Sequence, residues 1–246
     1  MFQARTKADT LKELVTIVST LVDEAKFMIT ADGISLRAVD PAHVAMVDLK
    51  LSKEAFEEYK ADESELGIDV AKLEQFLRLA KAGEVIDIAN DEDKRRLNVA
   101  VGNTTKRMSL IDTTGMSEPK LPNLNLPAKV SLKIDDIAQG IKASESVSDH
   151  IALTVTADSF EMVCEGDTDQ VQLKLPKDKL LELECEEKVR SLFPLEYFSN
   201  MMRAIPSQAK ITLNLGNDYP VKIEFKIAEG NGEVTYLLAP RIESSD

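Results

Sequence analysis

The feature that most constrains this chain is that it repeats itself. Asp9 precedes an amphipathic run and so does Asp135, while Thr30-Ala31-Asp32 recurs as Thr156-Ala157-Asp158, both at an offset of 126 residues. Leu73 maps to Tyr197 and Leu97 to Val221, both at an offset of 124. Anchors that drift by only two positions point to duplication of a unit of roughly 125 residues. Between the copies, residues 114–127 carry Pro119, Pro122 and Pro127 without a sustained period, so this stretch reads as an extended connector. The expected organisation is one domain over 1–113, the connector over 114–127, and a second domain over 128–246.

In the first copy, Asp9 reads as the N-cap of a helix to about Glu24, with Leu11, Leu14, Val15, Val18, Leu21, Val22 and Ala25 on one stripe. Strands are expected over 26–30, 34–39 and 44–51, and a short helical turn over 53–59. A second helix over 70–82 turns Val70, Leu73, Phe76, Leu77 and Ala80 inward and ends at Gly83, a common residue just past a helix. Strands over 85–89, 96–101 and 106–111 complete the copy. In the second copy a helix over 135–146 buries Ile137 and Ile141, and strands follow over 151–156, 159–165 and 170–175. Pro194 opens the last helix, with Leu195, Phe198, Met202 and Ile205 inward, before strands over 210–215, 221–228 and 233–238. The fold class is α+β, with each copy an antiparallel sheet covered from one side by two helices.

That arrangement leaves the outer helix faces exposed together. They carry Lys12 on the first helix, Lys72, Arg78 and Lys81 on the second, Lys142 on the third and Arg203 on the fourth. Carboxylates gather elsewhere, at 62–65, 91–93, 184–187 and 243–246. The net charge of −13 argues against a freestanding basic DNA-binding domain. A local basic face is a different matter, because phosphate contacts supply affinity without sequence information. Such a face would hold duplex DNA loosely and indifferently to sequence. No apolar run approaches the roughly 18 residues of a spanning helix, and Met1-Phe2-Gln3-Ala4-Arg5 lacks a signal-peptide core. Cys164 and Cys185 suit reduced thiols, so a cytoplasmic protein without membrane, metal or cofactor is expected.

One stretch departs from plain scaffold. Asp32-Gly33 reads as a tight hairpin turn, after which Ile34, Leu36 and Ala38 alternate with polar positions. Asp40-Pro41 interrupts the ladder and leaves His43 on a short loop flanked by Val39, Val44 and Met46, the character of a docking surface. No counterpart of this loop is expected after Glu165, so duplication would copy the scaffold but not the dock, giving one site per subunit. A metal-dependent hydrolase using Asp91, Glu92 and Asp93, or Glu186 and Glu187, is the rival reading; consecutive carboxylates converge poorly on one Mg²⁺.

Four segments carry a resemblance to a known family: Asp32 to Val44, the helix end Leu77 to Gly83, the proline-rich connector, and Tyr236-Leu237-Leu238-Ala239-Pro240-Arg241-Ile242-Glu243. With them the chain resembles the sliding clamps of archaea and eukaryotes, the proliferating cell nuclear antigen family, in its archaeal form. The resemblance implies a non-catalytic processivity factor, a homotrimeric ring around duplex DNA with four helices per subunit lining the hole and the sheets outside. It implies a clamp loader, DNA polymerase, flap endonuclease and DNA ligase as partners. Their short motif of Gln, an aliphatic residue and two aromatics would enter a pocket of Val39, His43, Val44, Met46, Leu121, Leu124, Leu126, Pro220, Ala239, Pro240 and Ile242. Subunits would meet through an edge strand of each half, 106–111 against 170–175, with Lys81, Arg107, Leu110, Glu145, Val171, Leu173 and Leu175 at the contact and Asp135 as a further ion-pair partner. A subunit that works only in a heterotrimer, or a checkpoint-type clamp, is the variant reading.

Overall fold

The computed structural model describes residues 1–116 and 118–242; the acidic end, Glu243 to Asp246, lies outside the described residues. The chain forms two compact units, Met1–Lys120 with Lys226–Val234, and Leu121–Phe225 with the residues from Thr235. The division falls at Lys120–Leu121, inside the expected connector. The tip of the last hairpin, Lys226–Val234, goes with the first unit, an exchange that no linear boundary expresses.

The first unit runs β1 (Phe2–Lys7), α1 (Ala8–Ser19), β2 (Glu24–Thr30), β3 (Gly33–Val39), β4 (Ala45–Ser52), β5 (Glu58–Ala61), β6 (Ser64–Asp69), α2 (Val70–Leu77), β7 (Val85–Asp91), β8 (Arg96–Val101) and β9 (Thr104–Ser109). The second repeats the order: β10 (Ala128–Lys133), α3 (Asp135–Ser144), β11 (His150–Val155), β12 (Ser159–Glu165), β13 (Gln170–Pro176), β14 (Glu182–Glu184), β15 (Val189–Pro194), α4 (Leu195–Ala204), β16 (Lys210–Leu215), β17 (Val221–Ile227) and β18 (Gly232–Leu238). Strand order repeats as well. In the first copy, antiparallel ladders run β5-β1-β7-β8-β9 and β4-β3-β2-β6; in the second, β14-β10-β16-β17-β18 and β13-β12-β11-β15. The duplication read from the sequence is therefore a duplication of topology.

The strands form two ladders per copy rather than the single sheet expected, and the reason is local. β1 and β10 lie at the interior of their ladders, between β5 and β7 and between β14 and β16, and neither was expected as a strand. In β1 the buried positions are Phe2, Ala4 and Thr6, one large apolar side chain among small ones. Thr6 is buried because its hydroxyl donates to the Ala55 carbonyl at 3.0 Å, a bond no hydropathy pattern announces. β5, β6, β14 and β15 likewise lie outside the expected strands; 53–59 is a single turn at Lys53–Ala55 followed by β5. Within each unit the helices pack on one another and on strands of both ladders: α1 on β1, α2 on β2 and β6, α3 on β10 and β13, α4 on β11 and β15.

Three local expectations are corrected. Asp9 does not cap α1: Lys7 holds that position, and Asp9 accepts instead from the Gly83 amide at 2.8 Å, fixing the turn after α2. Gly83 itself sits at φ 74°, in the region that favours glycine. The tight turn is Ala31-Asp32, with Gly33 already paired to Thr30; Gly33 is required because a Cβ there would stand 2.2 Å from the Leu51 carbonyl oxygen. The His43 loop also has a counterpart. Asp40 to Val44 joins β3 to β4, and Gly166 to Asp169 joins β12 to β13 at the same place in the second copy. The two turns close alike, Asp40 N to Ala45 O at 3.0 Å and Gly166 N to Asp169 O at 2.9 Å. The asymmetry lies in what the loop carries, not in whether it exists.

Candidate nucleic-acid interface

The α2 face follows the sequence pattern closely. Val70, Leu73, Phe76, Leu77 and Ala80 are buried, and Lys72, Gln75, Arg78 and Lys81 are exposed. The helix is shorter than expected, ending at Leu77, so Arg78 is its C-cap and Lys81 lies in the following turn, where the Glu84 carboxylate receives its backbone amide at 2.9 Å. Asp69 caps the start by accepting from the Lys72 amide at 2.8 Å, and the Lys72 ammonium returns to its other oxygen at 2.6 Å. Partial burial pushes the Asp69 carboxyl up, but the two hydrogen bonds from Lys72 outweigh it and leave the group below the usual carboxylate range. The Asp69 bond raises Lys72 in turn.

Lys12 differs from the solvated cation expected. Its ammonium donates to the Ala80 carbonyl at 2.5 Å, and the side chain is half-buried against the turn after α2. On α4, Leu195, Phe198, Met201 and Met202 are buried while Glu196, Asn200 and Arg203 face out. Ser199 is buried on the same helix, its hydroxyl donating to Glu145 at 2.6 Å. Arg203 binds the same Glu145 oxygen. The Ser199 bond first, and Arg203 with it, hold the Glu145 carboxyl below its ordinary range. Glu145, expected to await a neighbouring subunit, thus already has partners in its own unit, and Asp135 likewise accepts from Gln208. Lys142 is exposed in the last turn of α3.

The second candidate surface is the β3–β4 loop. Ala45, Val47, Leu49 and Leu51 are buried, so Val44, Met46 and Asp48 take the opposite, half-exposed face. Val39 pairs with Met46 and shares its exposure. Asp40, read in the sequence as part of the Asp-Pro break, is buried and holds the loop: its carboxylate accepts from the amides of Ala42, Val44 and Ala45 at 3.0, 2.7 and 2.6 Å. His43 is exposed with φ 57°. On the same face Arg37 donates to Asp48 at 2.9 Å and to the Pro119 carbonyl at 3.1 Å, tying the start of the connector to β3. The signal for the first of these was available, since Arg37 and Asp48 are cross-strand partners. In the second unit Leu124 and Leu126 are half-buried, Leu126 near Gly216, whereas Leu121 and Ile242 are exposed; Pro220, Ala239 and Pro240 are half-buried. Arg241 pairs with Leu192 of β15 through its amide, 2.7 Å from the carbonyl, and its guanidinium meets His150.

Two edge strands complete the inventory. β9 ends one ladder of the first unit and β13 one ladder of the second. β9 is Thr104–Ser109, so Leu110 and Ile111 fall beyond it, Leu110 bonded to the Arg95 carbonyl and Ile111 to Gly67. Arg107 is exposed; Val171, Leu173 and Leu175 alternate as half-buried positions along β13, and Leu173 lies against Gly140 of α3. Asp91, of the rival metal reading, is engaged by the Lys94 amide at 3.1 Å. Among the described residues no cluster of three or more His, Cys, Asp or Glu is placed to hold a metal, and no helix is long and apolar enough to cross a membrane.

Comparison with known proteins agrees with this architecture over the whole chain. Residues 1–117 match the family model of the proliferating cell nuclear antigen N-terminal domain, and residues 120–241 that of its C-terminal domain. The DNA polymerase sliding clamp of Methanococcoides burtonii is 42% identical over 245 residues, covering 99% of this chain and 100% of that protein. That of Halobacterium salinarum is 44% identical over 248 residues with full coverage of both. Among solved structures, A. fulgidus PCNA with the C-terminal region of FEN-1 bound superposes with a TM-score of 0.94 at 30% identity and full coverage of both chains. PCNA from Thermococcus kodakaraensis gives 0.91 at 26% identity, covering 98% of this chain and 100% of that one. From duplicated topology, helix faces and full-length similarity together, the chain belongs to the proliferating cell nuclear antigen family.

Proposed function

We propose that this chain is a DNA sliding clamp, a homotrimer that encloses duplex DNA and raises polymerase processivity without chemistry of its own. The observation that carries the reading is the pair of edge strands, β9 on one copy of the repeat and β13 on the other. Two different edges on one chain are suited to a head-to-tail interface, which closes into a ring when the rotation allows. Enclosure also explains how a chain of net charge −13 serves DNA: topology replaces affinity, and the cations of α1–α4 need only bear lightly on phosphates. Interface residues on this reading are Lys81, Arg107, Leu110, Glu145, Val171, Leu173 and Leu175.

Tethering multiplies the effective concentration of whatever is held. The tethered partners on this reading are the clamp loader, DNA polymerase, flap endonuclease and DNA ligase, met in the cytoplasm at the nucleoid. The β3–β4 surface of Val39, His43, Val44 and Met46 takes their aromatic anchors, with the connector leucines, Pro220, Ala239, Pro240 and Ile242 as further contacts to the peptide. A ring is tested by mass and by topology. Three subunits of 27.2 kDa give a particle of about 82 kDa in light scattering. Once loaded on a nicked circular duplex, the clamp should stay bound in high salt and leave when the circle is cut. A stable monomer at micromolar concentration, or retention that ignores cutting, would overturn the reading.

A further inference from the structure

Of the six cations assigned to the DNA-facing surface, three are held by carboxylates of their own unit. Lys72 is 2.6 Å from Asp69, Arg78 is 3.3 Å from Glu74, and Arg203 contacts Glu145, which the Ser199 hydroxyl also fixes at 2.6 Å. Each carboxylate offers its cation the kind of oxygen acceptor a DNA phosphate would offer. The pairs are solvent-exposed, with Arg78 and Arg203 side chains 72% and 59% accessible, so they are weak enough for a phosphate to displace. Displacement has a consequence for the ion atmosphere. When a cation leaves its carboxylate for a phosphate, the phosphate sheds a counterion but the freed carboxylate gathers one from solution. For that cation the counterion release that drives binding to DNA then nearly cancels.

We propose that Glu74 and Glu145 are built-in competitors of the DNA phosphates, which weaken the clamp's hold on the enclosed duplex and lower its dependence on salt. The proposal rests on the DNA-facing reading of Arg78 and Arg203. Asp69 acts in the same way on Lys72, but it also caps α2 and so cannot be altered cleanly. Glu74 can be, and Glu145, which also stands at the proposed subunit contact, is altered only with assembly checked. Glutamine in place of Glu145 keeps an acceptor for Ser199 while removing the charge, and Glu74 makes an ordinary exposed i,i+4 pair.

The test compares the full-length trimeric protein with Glu74→Gln/Glu145→Gln and with Arg78→Gln/Arg203→Gln, each confirmed as a trimer by light scattering. Binding to a short linear duplex is followed across a potassium chloride series, and one-dimensional diffusion is measured after loading on stretched DNA. Two cations per subunit freed for phosphate should steepen the slope of log K against log salt by about 1.8 for each subunit that bears on the duplex and slow diffusion in the carboxylate variant. If the arginine variant weakens binding while the carboxylate variant leaves slope and diffusion unchanged, the competitor role is wrong and the DNA-facing reading stands. If the arginine variant is itself without effect, the DNA-facing reading fails and takes the proposal with it. Should the double carboxylate variant not assemble, Glu74→Gln alone carries the test with an expected steepening of about 0.9 for each subunit that bears on the duplex.

Discussion

At the scale of the residue, the most informative side chains are polar ones whose role depends on a distant partner. Tyr59 places its hydroxyl 2.8 Å from both the Thr30 and the Gly33 carbonyls, the pair that closes the β2–β3 turn. Burial pushes its phenol up to about 12. The folded state therefore keeps a proton that the unfolded chain releases near 10, so the stabilisation is complete below pH 10 and is lost as pH rises towards 12. Tyr59→Phe should cost about 1 kcal/mol at neutral pH and flatten the decline between pH 10 and 12, read by urea unfolding at a series of pH values. Asp40 makes a similar point about legibility. Period-2 alternation showed which face Val44 and Met46 take, but not that one buried carboxylate would collect three amides to hold the loop. Asp-Pro in a sequence marks a break; what the carboxylate bonds to is settled by the turn it makes.

Among the elements, helices were easier to read than strands. The stripe of α2 is legible in the sequence down to its exposed Lys72 and Arg78, because a 3.6-residue period is a local property of the chain. Its cap was not, since Asp69 ends β6 and begins α2 at once. Asp69→Ala should destabilise the protein by about 1 kcal/mol through loss of the cap, measured as a lower urea midpoint at unchanged slope. α3 gives a case where two effects oppose. Gly140→Ala gains about 1 kcal/mol of helix propensity, but the new Cβ would stand 2.8 Å from Leu173 Cδ1, 3.0 Å from Met162 Cε and 3.1 Å from Leu173 Cβ. Overpacking of this kind costs about 1–3 kcal/mol. Leu173 Cβ, close to its backbone, cannot swing aside as a terminal methyl can, so the variant should be net destabilised in thermal unfolding. Leu173 also belongs to the edge strand β13, and the same variant should weaken self-association in dilution-series light scattering.

For the whole molecule, the proposed surfaces should be separable by substitution. Val44→Glu with Pro240→Glu is expected to abolish binding of an aromatic-bearing partner peptide while the trimer persists. Lys142→Glu with Arg203→Glu should impair loading or sliding and spare peptide binding. Calorimetric titration of the peptide, alongside retention on circular DNA, reads both; equal damage to both activities from each pair would show the surfaces wrongly assigned. Duplication, the helix faces and the interrupted β3–β4 hairpin were determined by the sequence alone, because each is a pattern of neighbours along the chain: a repeat offset, a period, a proline after an aspartate. The division into two ladders per copy, the pairing of Arg203 and Ser199 with Glu145, and the seat of Lys12 on the Ala80 carbonyl were decided only by the tertiary structure. Those facts join residues tens of positions apart, where hydrogen-bond geometry and burial, rather than local periodicity, select the partner.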